Sequence, residues 1–153
     1  MRVFVWVLLL SILGVGPAEA QPDQASGTVS CRGNQARVES ATAQWNPKSR
    51  CLQVMVYPES SGSYLMELNF QFRADGPTTR EGLEKLQLFI SRSLCGKGAF
   101  TDYRVGAPLK EDLVEFKFDP AGRVALRLRG RSRYENEPVS WEVNLNLQVN
   151  ASP

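Results

Sequence analysis

The sequence predicts an α+β fold: a curved antiparallel sheet of about six strands with one amphipathic helix packed on its apolar face. Apolar and polar residues alternate in runs such as YLMELNFQFR and WEVNLNLQV, which is the period of a half-buried strand. Asp-Pro-Ala-Gly, at 119–122, separates two further alternating runs and suits a hairpin loop. Residues 79–95 carry the period of a helix instead. The predicted order of elements is ββ(β)αβββ.

The first twenty residues have the pattern of a signal peptide. Arg2 precedes an apolar run over 3–15, and small residues stand before the expected cut at Gln21. The run is shorter than the roughly 20 residues of a membrane-spanning helix. We therefore expect a secreted or periplasmic protein with no transmembrane segment in its mature chain. Residues 21–27 are predicted to be a flexible lead-in, and residues 28–150 a single domain.

The first hairpin is predicted around Asn-Pro-Lys-Ser, at 46–49, between two alternating runs. Pairing Trp45 with Arg50 places six apolar side chains on one face of the two strands: Ala41, Ala43, Trp45, Leu52, Val54 and Val56. The following strand, 64–73, alternates in the same way. Its predicted inward residues are Tyr64, Met66, Leu68, Phe70 and Phe72.

The predicted helix spans Thr79 to Cys95. Thr78 and Glu81 have the spacing of a capping box, and Gly96 follows where a helix end favours positive φ. The apolar positions with helical spacing are Leu83, Leu86, Ile90 and Leu94. A short strand is predicted over 100–105.

Three strands are predicted to form a meander at the C-terminus. Pairing Asp119 with Arg123 aligns three apolar pairs, Phe118 with Val124, Phe116 with Leu126 and Val114 with Leu128. A turn centred on 136–137 would place Leu128 opposite Leu145, with Trp141 close enough to cover Gly130. The opposite face then collects the polar side chains Glu115, Lys117, Arg127, Arg129, Arg131, Arg133, Glu142 and Asn144.

Four arginines at alternate positions, the arginine row, are the candidate ligand-binding residues: Arg127, Arg129, Arg131 and Arg133. Their guanidinium groups would lie along roughly 20 Å of strand and could bind phosphate or carboxylate groups. The stronger interpretation is a solvated strand face, since the predicted register sets Arg127 beside Glu115 and Arg131 beside Glu142. A protein-binding surface is the third interpretation. Arg129 and Arg133 have no acidic neighbour in that register.

Three cysteines, Cys31, Cys51 and Cys95, are expected to meet an oxidising compartment, where one disulfide can form. We favour the pair Cys31–Cys95 because both residues lie near the ends of predicted elements, and the other two pairings stay open. The remaining thiol is predicted to be buried, with intermolecular pairing and nucleophilic chemistry as alternatives.

The composition excludes several kinds of catalytic site. The chain has no histidine, which removes Ser-His-Asp and Cys-His arrangements and most zinc-hydrolase sites. No cofactor or metal site is predicted, and a net charge of +2 does not indicate a nucleic-acid-binding protein. Two carboxylate pairs, Glu111 with Asp112 and Glu135 with Glu137, could serve glycoside cleavage.

The predicted function is that of a non-catalytic binding protein acting through the polar sheet face or its loops. Its partner would be an anionic envelope component or another exported protein. One alternative is an inhibitor that inserts a loop, at 58–64 or 104–112, into an extracellular enzyme. The other is a small carboxylate-dependent hydrolase. Asn150 begins a glycosylation triplet, which matters only in a host that glycosylates exported proteins.

Overall fold

The computed structural model describes residues 21–59, 62–96, 101–103, 112–134 and 136–152. Within these ranges the chain forms nine strands and one short helix. They are β1 (Gln24–Cys31), β2 (Asn34–Asn46), β3 (Cys51–Pro58), β4 (Met66–Phe72), β5 (Leu83–Ile90), α1 (Arg92–Cys95), β6 (Thr101–Tyr103), β7 (Leu113–Phe118), β8 (Arg123–Tyr134) and β9 (Glu137–Ala151).

The nine strands form one sheet in the order β6-β5-β4-β3-β2-β1-β9-β8-β7. Neighbouring strands are antiparallel, and the predicted antiparallel sheet is confirmed. The long strand β2 belongs to two halves of this sheet: residues 34–37 pair with β1, whereas residues 38–46 pair with β3. Where the two halves meet, the end of β9 pairs in parallel with β2, and Ala43 lies opposite Val149.

Apolar side chains from the two halves pack against each other and form the core. Phe70 of β4 stacks on Phe116 of β7 with ring centroids 5.1 Å apart. Phe72 stacks on Phe118 at 5.6 Å, and Trp45 meets the same ring edge-on at 5.1 Å. Aromatic pairs at such distances contribute about 0.5–1.5 kcal/mol beyond their buried area. The curved sheet is therefore folded onto itself, with its two outer faces towards solvent.

The predicted α+β class is wrong, because no long helix covers the sheet. The described residues contain no helix of seven or more residues. The segment predicted as helix Thr79–Cys95 holds a 3-10 turn at Arg80–Gly82, then β5 and α1. Because the two halves of the sheet pack their apolar faces against each other, no helix is needed to bury them.

A β-bulge explains why β5 imitates a helix in sequence. Gln71 pairs with Lys85 and Phe72 with Leu83, which leaves Glu84 as the extra residue. The bulge lengthens the spacing from Leu83 to the next buried leucine to three, the spacing of a helix. Beyond it the burial alternates as in an ordinary strand, at Leu86, Leu88 and Ile90.

The first hairpin has the predicted faces with a different register. Trp45 pairs with Leu52 rather than with Arg50, a shift of two residues. Because side chains alternate with a period of two, an even shift leaves the same residues facing inward. All six predicted apolar side chains on this face, and Met66, Leu68, Phe70 and Phe72 of β4, are buried. Tyr64 lies before β4 and is half-buried.

The C-terminal meander is confirmed, with two corrections to its register. Phe116 pairs with Leu126 and Phe118 with Val124, as predicted. A bulge makes Leu113, not Val114, the partner of Leu128, and leaves the Val114 side chain 55% exposed. The β8–β9 register also differs by two residues, so that Leu128 faces Val143, and Gly130 lies directly opposite Trp141.

The disulfide prediction is confirmed, since Cys31 at the end of β1 is bonded to Cys95 at the end of α1. Asn34 reinforces this contact by donating a hydrogen bond to the Leu94 carbonyl at 3.1 Å. Residues 24–27, expected in the flexible lead-in, form the first half of β1 and pair with β9. The short strand predicted over 100–105 is present as β6. The predicted signal peptide lies outside the described residues.

Candidate functional site

All four side chains of the arginine row lie on the outward face of β8. They are exposed and alternate with residues that point the other way, of which Val124, Leu126 and Leu128 are buried. The prediction that the arginines share one solvent-facing surface is confirmed. Their binding role stays a prediction.

Acidic neighbours are distributed differently from the predicted register. Arg127 lies beside Glu115 as predicted, but Arg131 faces Ser140, and it is Arg129 that faces Glu142. The Glu142 carboxylate nevertheless approaches Arg127, with Nη2 and Oε1 3.7 Å apart. Both side chains are about half exposed, so this ion pair contributes only about 0.2–1 kcal/mol.

Three arginines are left without a salt bridge to any described residue: Arg129, Arg131 and Arg133. Glu115, the other acid on this surface, forms its salt bridge with Lys117 at 3.2 Å. A further arginine, Arg37, lies in the same cross-strand row as Arg129, because Arg37 pairs with Thr28, which pairs with Glu142. Positive charge is therefore concentrated on this face.

A cavity of about 610 Å³, the arginine cleft, opens beside the middle of the arginine row. Arg129 and Arg131 supply its positive charge, and Thr28 and Ser140 supply hydroxyl groups. The remaining described residues that line it are Asp112, Val114, Gly130, Trp141 and Glu142. The cleft therefore offers several hydrogen-bond donors within one concave surface.

Gly130 allows the Trp141 ring to pack directly against the backbone of β8 in the wall of the arginine cleft. A Cβ added to Gly130 would lie 2.7 Å from Trp141 Cζ2 and 2.8 Å from Asp112 Oδ2, closer than van der Waals contact permits. Trp141 is 3% exposed, and its Nε1 has no hydrogen-bond partner among the described residues. A buried N–H group without an acceptor costs about 1–3 kcal/mol.

A second, smaller cavity of about 230 Å³ lies on the outer face of the other half of the sheet. Gln44, Asn46, Ser49, Cys51, Gln53, Asn69 and Ser152 line it. Cys51 is the free cysteine and is only half-buried, so the expectation of a buried thiol is not met. Burial, followed by the nearby negative charge of Glu67, raises the pKa of this thiol above its ordinary value. The thiol form is therefore favoured at neutral pH.

Several predicted features lie partly or wholly outside the described residues. The loop at 104–112 is described only at Asp112, and the loop at 58–64 lacks its two central residues. Each predicted carboxylate pair also has one member, Glu111 or Glu135, outside the described ranges. In the part of the chain that is described, no cluster of metal-ligating side chains occurs, and no helix has the length and apolar character to cross a membrane.

The sequence predicted the arginines of the cleft, Glu142 on the same face and the approach of Trp141 to Gly130, but it did not place Thr28, Ser140 or Asp112 beside them. Thr28 and Ser140 come from strands whose pairing is seen only in the folded sheet, and Asp112 falls in a segment with no regular pattern. The signal for the approach of Trp141 was Gly130, because a glycine inside a strand often marks a close approach.

Comparison of the chain with protein-family models, curated proteins and solved structures finds no match in any of the three.

Proposed function

We propose that this chain is an exported, non-catalytic binding protein, secreted or periplasmic, that holds a phosphate or carboxylate group of an anionic envelope component in the arginine cleft. The observation that carries this proposal is the position of Arg129 and Arg131. Both line a cavity of about 610 Å³, and neither forms a salt bridge with a described residue.

The charges that line the cleft favour an anion over a cation. Of the two acids in its wall, Glu142 already lies within 3.7 Å of Arg127. Asp112 has polar or electrostatic interactions of its own. A guanidinium group presents planar, paired N–H donors that match the oxygens of phosphate and carboxylate. Arg129 and Arg131 are therefore available to an incoming oxyanion.

Neutral donors in the same wall support this assignment. The Thr28 and Ser140 hydroxyl groups can donate to ligand oxygens, although Ser140 already shares a 2.7 Å hydrogen bond with Ser30. The Trp141 N–H group lacks an acceptor within the described protein. An oxyanion that reached this group would remove the cost of leaving it unsatisfied.

The test measures binding of tripolyphosphate and of trigalacturonate to residues 21–153 by isothermal titration calorimetry. We expect at least one of these probes to bind. Binding of tripolyphosphate would identify the ligand group as a phosphate, and binding of trigalacturonate would identify it as a carboxylate. The R129A/R131A double variant should raise Kd about tenfold or more, equivalent to about 1.4 kcal/mol. Raising NaCl from about 0.05 M to about 0.5 M should weaken binding through screening.

The matched control is K48A/K85A, which removes two positive charges from exposed side chains outside the cleft. It should bind the probe like the wild type, because it changes the net charge of the protein but leaves Arg129 and Arg131 in place. Equal loss of binding in both double variants would contradict a defined site. Binding of neither probe by the wild type would refute the proposal.

A further inference from the structure

We propose that the outer face of β2–β5, together with the end of β9, binds a neutral, polyhydroxylated glycan along a row of five carboxamide side chains. Strand pairing aligns these residues across five adjacent strands: Asn150 of β9, Gln44 of β2, Gln53 of β3, Asn69 of β4 and Gln87 of β5. This carboxamide row extends for about 19 Å, since neighbouring strands lie about 4.8 Å apart. It belongs to a different half of the sheet from the arginine cleft.

Carboxamides suit the hydroxyl groups of a sugar. Each presents one carbonyl oxygen that accepts and one NH₂ group that donates, so it can bond to a hydroxyl in either direction. A row of such groups offers repeated, closely spaced donors and acceptors without a fixed charge. A chain of sugar units carries the matching repeated hydroxyl groups.

Two of the five carboxamides are already oriented by the protein. Gln53 Nε2 and Asn69 Nδ2 both donate to Oε1 of Glu67, at 2.8 Å and 2.9 Å. Their carbonyl oxygens are thereby left to accept from a ligand. Gln44 and Gln87 have no side-chain hydrogen bond to any described residue, so their amides keep their full capacity.

The surroundings of the row favour a neutral ligand. The row itself carries no charge. Of the charged side chains beside it, the Glu67 carboxylate is occupied by two amide donors, and Lys85, two positions from Gln87 on the same face of β5, is exposed to solvent. The second cavity, of about 230 Å³, lies on this row and includes Gln44, Gln53 and Asn69 in its wall.

Cys51 provides a reporter for this site without any substitution in the row. It is free and half-buried, and it lines the same cavity. A glycan bound across the cavity should shield its sulfur from alkylation. The rate of reaction with iodoacetamide therefore reports occupancy independently of affinity measurements.

The experiment titrates residues 21–153 with cellohexaose and with N-acetylated chitohexaose, using calorimetry and the rate of Cys51 alkylation. We expect one of them to bind with Kd below about 1 mM and to slow alkylation at saturation. The Q44A/Q87A variant should raise Kd about tenfold or more, because two ligand hydrogen bonds are lost. Neither side chain bonds to a described residue, so the fold should be retained.

The matched control is Q35A/N144A, which removes one glutamine and one asparagine that are exposed and lie outside the row. It should bind like the wild type, and so should R129A/R131A, which separates this test from that of the arginine cleft. The proposal is overturned by failure of both oligosaccharides to bind, by unchanged binding in Q44A/Q87A, or by binding that leaves Cys51 equally reactive.

Discussion

Replacing Gly130 with alanine tests the packing of the arginine cleft. The new Cβ would lie 2.7 Å from Cζ2 and 2.8 Å from Cε2 of Trp141, and 2.8 Å from Asp112 Oδ2. Non-bonded carbon atoms prefer about 3.5–4.0 Å, so the indole must move by about 1 Å. Trp141 is only 3% exposed and packs on its neighbours, which makes this movement costly.

Overpacking of this kind costs about 1–3 kcal/mol, and we take about 2 kcal/mol. Alanine restricts the unfolded chain more than glycine and returns about 0.5 kcal/mol. The net loss of about 1.5 kcal/mol should lower Tm by roughly 5–7 °C for a domain of this size. Differential scanning calorimetry measures this shift directly.

The control for this measurement is Gly62→Ala. A Cβ at Gly62 would meet no atom within 4 Å, and its φ lies outside the left-handed region. Its Tm should stay within about a degree of the wild type or rise slightly. A Gly130→Ala variant as stable as this control would refute the close approach of Trp141 to the β8 backbone.

Three further predictions concern the rest of the fold. Replacing Cys31 and Cys95 with serine should lower the free energy of unfolding, measured in urea, by about 4 kcal/mol, because the disulfide closes a loop with a sequence separation of 64. An unchanged urea midpoint would contradict this prediction. Phe72→Ala should lower the free energy of unfolding by about 3–5 kcal/mol, whereas Val114→Ala, at a side chain that is 55% exposed, should lower it little. Equal losses of stability in the two variants would count against the assigned core. Alkylation of Cys51 should reach half its maximal rate at a higher pH than for a free thiol, since its pKa is raised; a midpoint at or below the free-thiol value would contradict the half-buried position.

The parts of the fold that the sequence predicts correctly are those with strong local signals. Asp119-Pro120-Ala121-Gly122 determines its hairpin because the Asp119 side chain accepts from the Ala121 N–H and its carbonyl from the Gly122 N–H. The alternating strands around it then take the predicted faces. Where the turn signal is weaker, as after Tyr134, the register shifts by two residues but the faces are kept.

The predicted helix fails because one bulge disrupts the alternation that marks a strand. Glu84 is the extra residue, and it moves Leu83 and Leu86 into helical spacing. The polar residues before β5 also have the spacing of a capping box, Thr78 with Glu81, but no cap forms there: the N-cap side chain of the short 3-10 turn, Thr79, makes no capping hydrogen bond and donates to the Glu81 carboxylate at 2.6 Å. Pairing with β4 over seven positions outweighs these local preferences, which are individually small.

Candidate binding surfaces depend on strand pairing more than on sequence spacing. The arginine row lies in one strand, so its periodicity is visible in the chain. The arginine cleft and the carboxamide row combine several strands, and their members are separated by up to about a hundred residues. No period in the sequence joins Gln44 to Gln87, or Thr28 to Arg129, until the order of strands is known.

The most direct test of the arginine cleft follows the indole N–H resonances of residues 21–153 in ¹⁵N-labelled protein. This segment has two tryptophans, Trp45 in the core and Trp141 in the cleft. Adding whichever of tripolyphosphate or trigalacturonate binds should shift the Trp141 signal in the wild type and not in R129A/R131A, while the Trp45 signal stays in place. A Trp141 signal that does not move at saturation, or one that moves equally in the double variant, would contradict anion binding in this cleft.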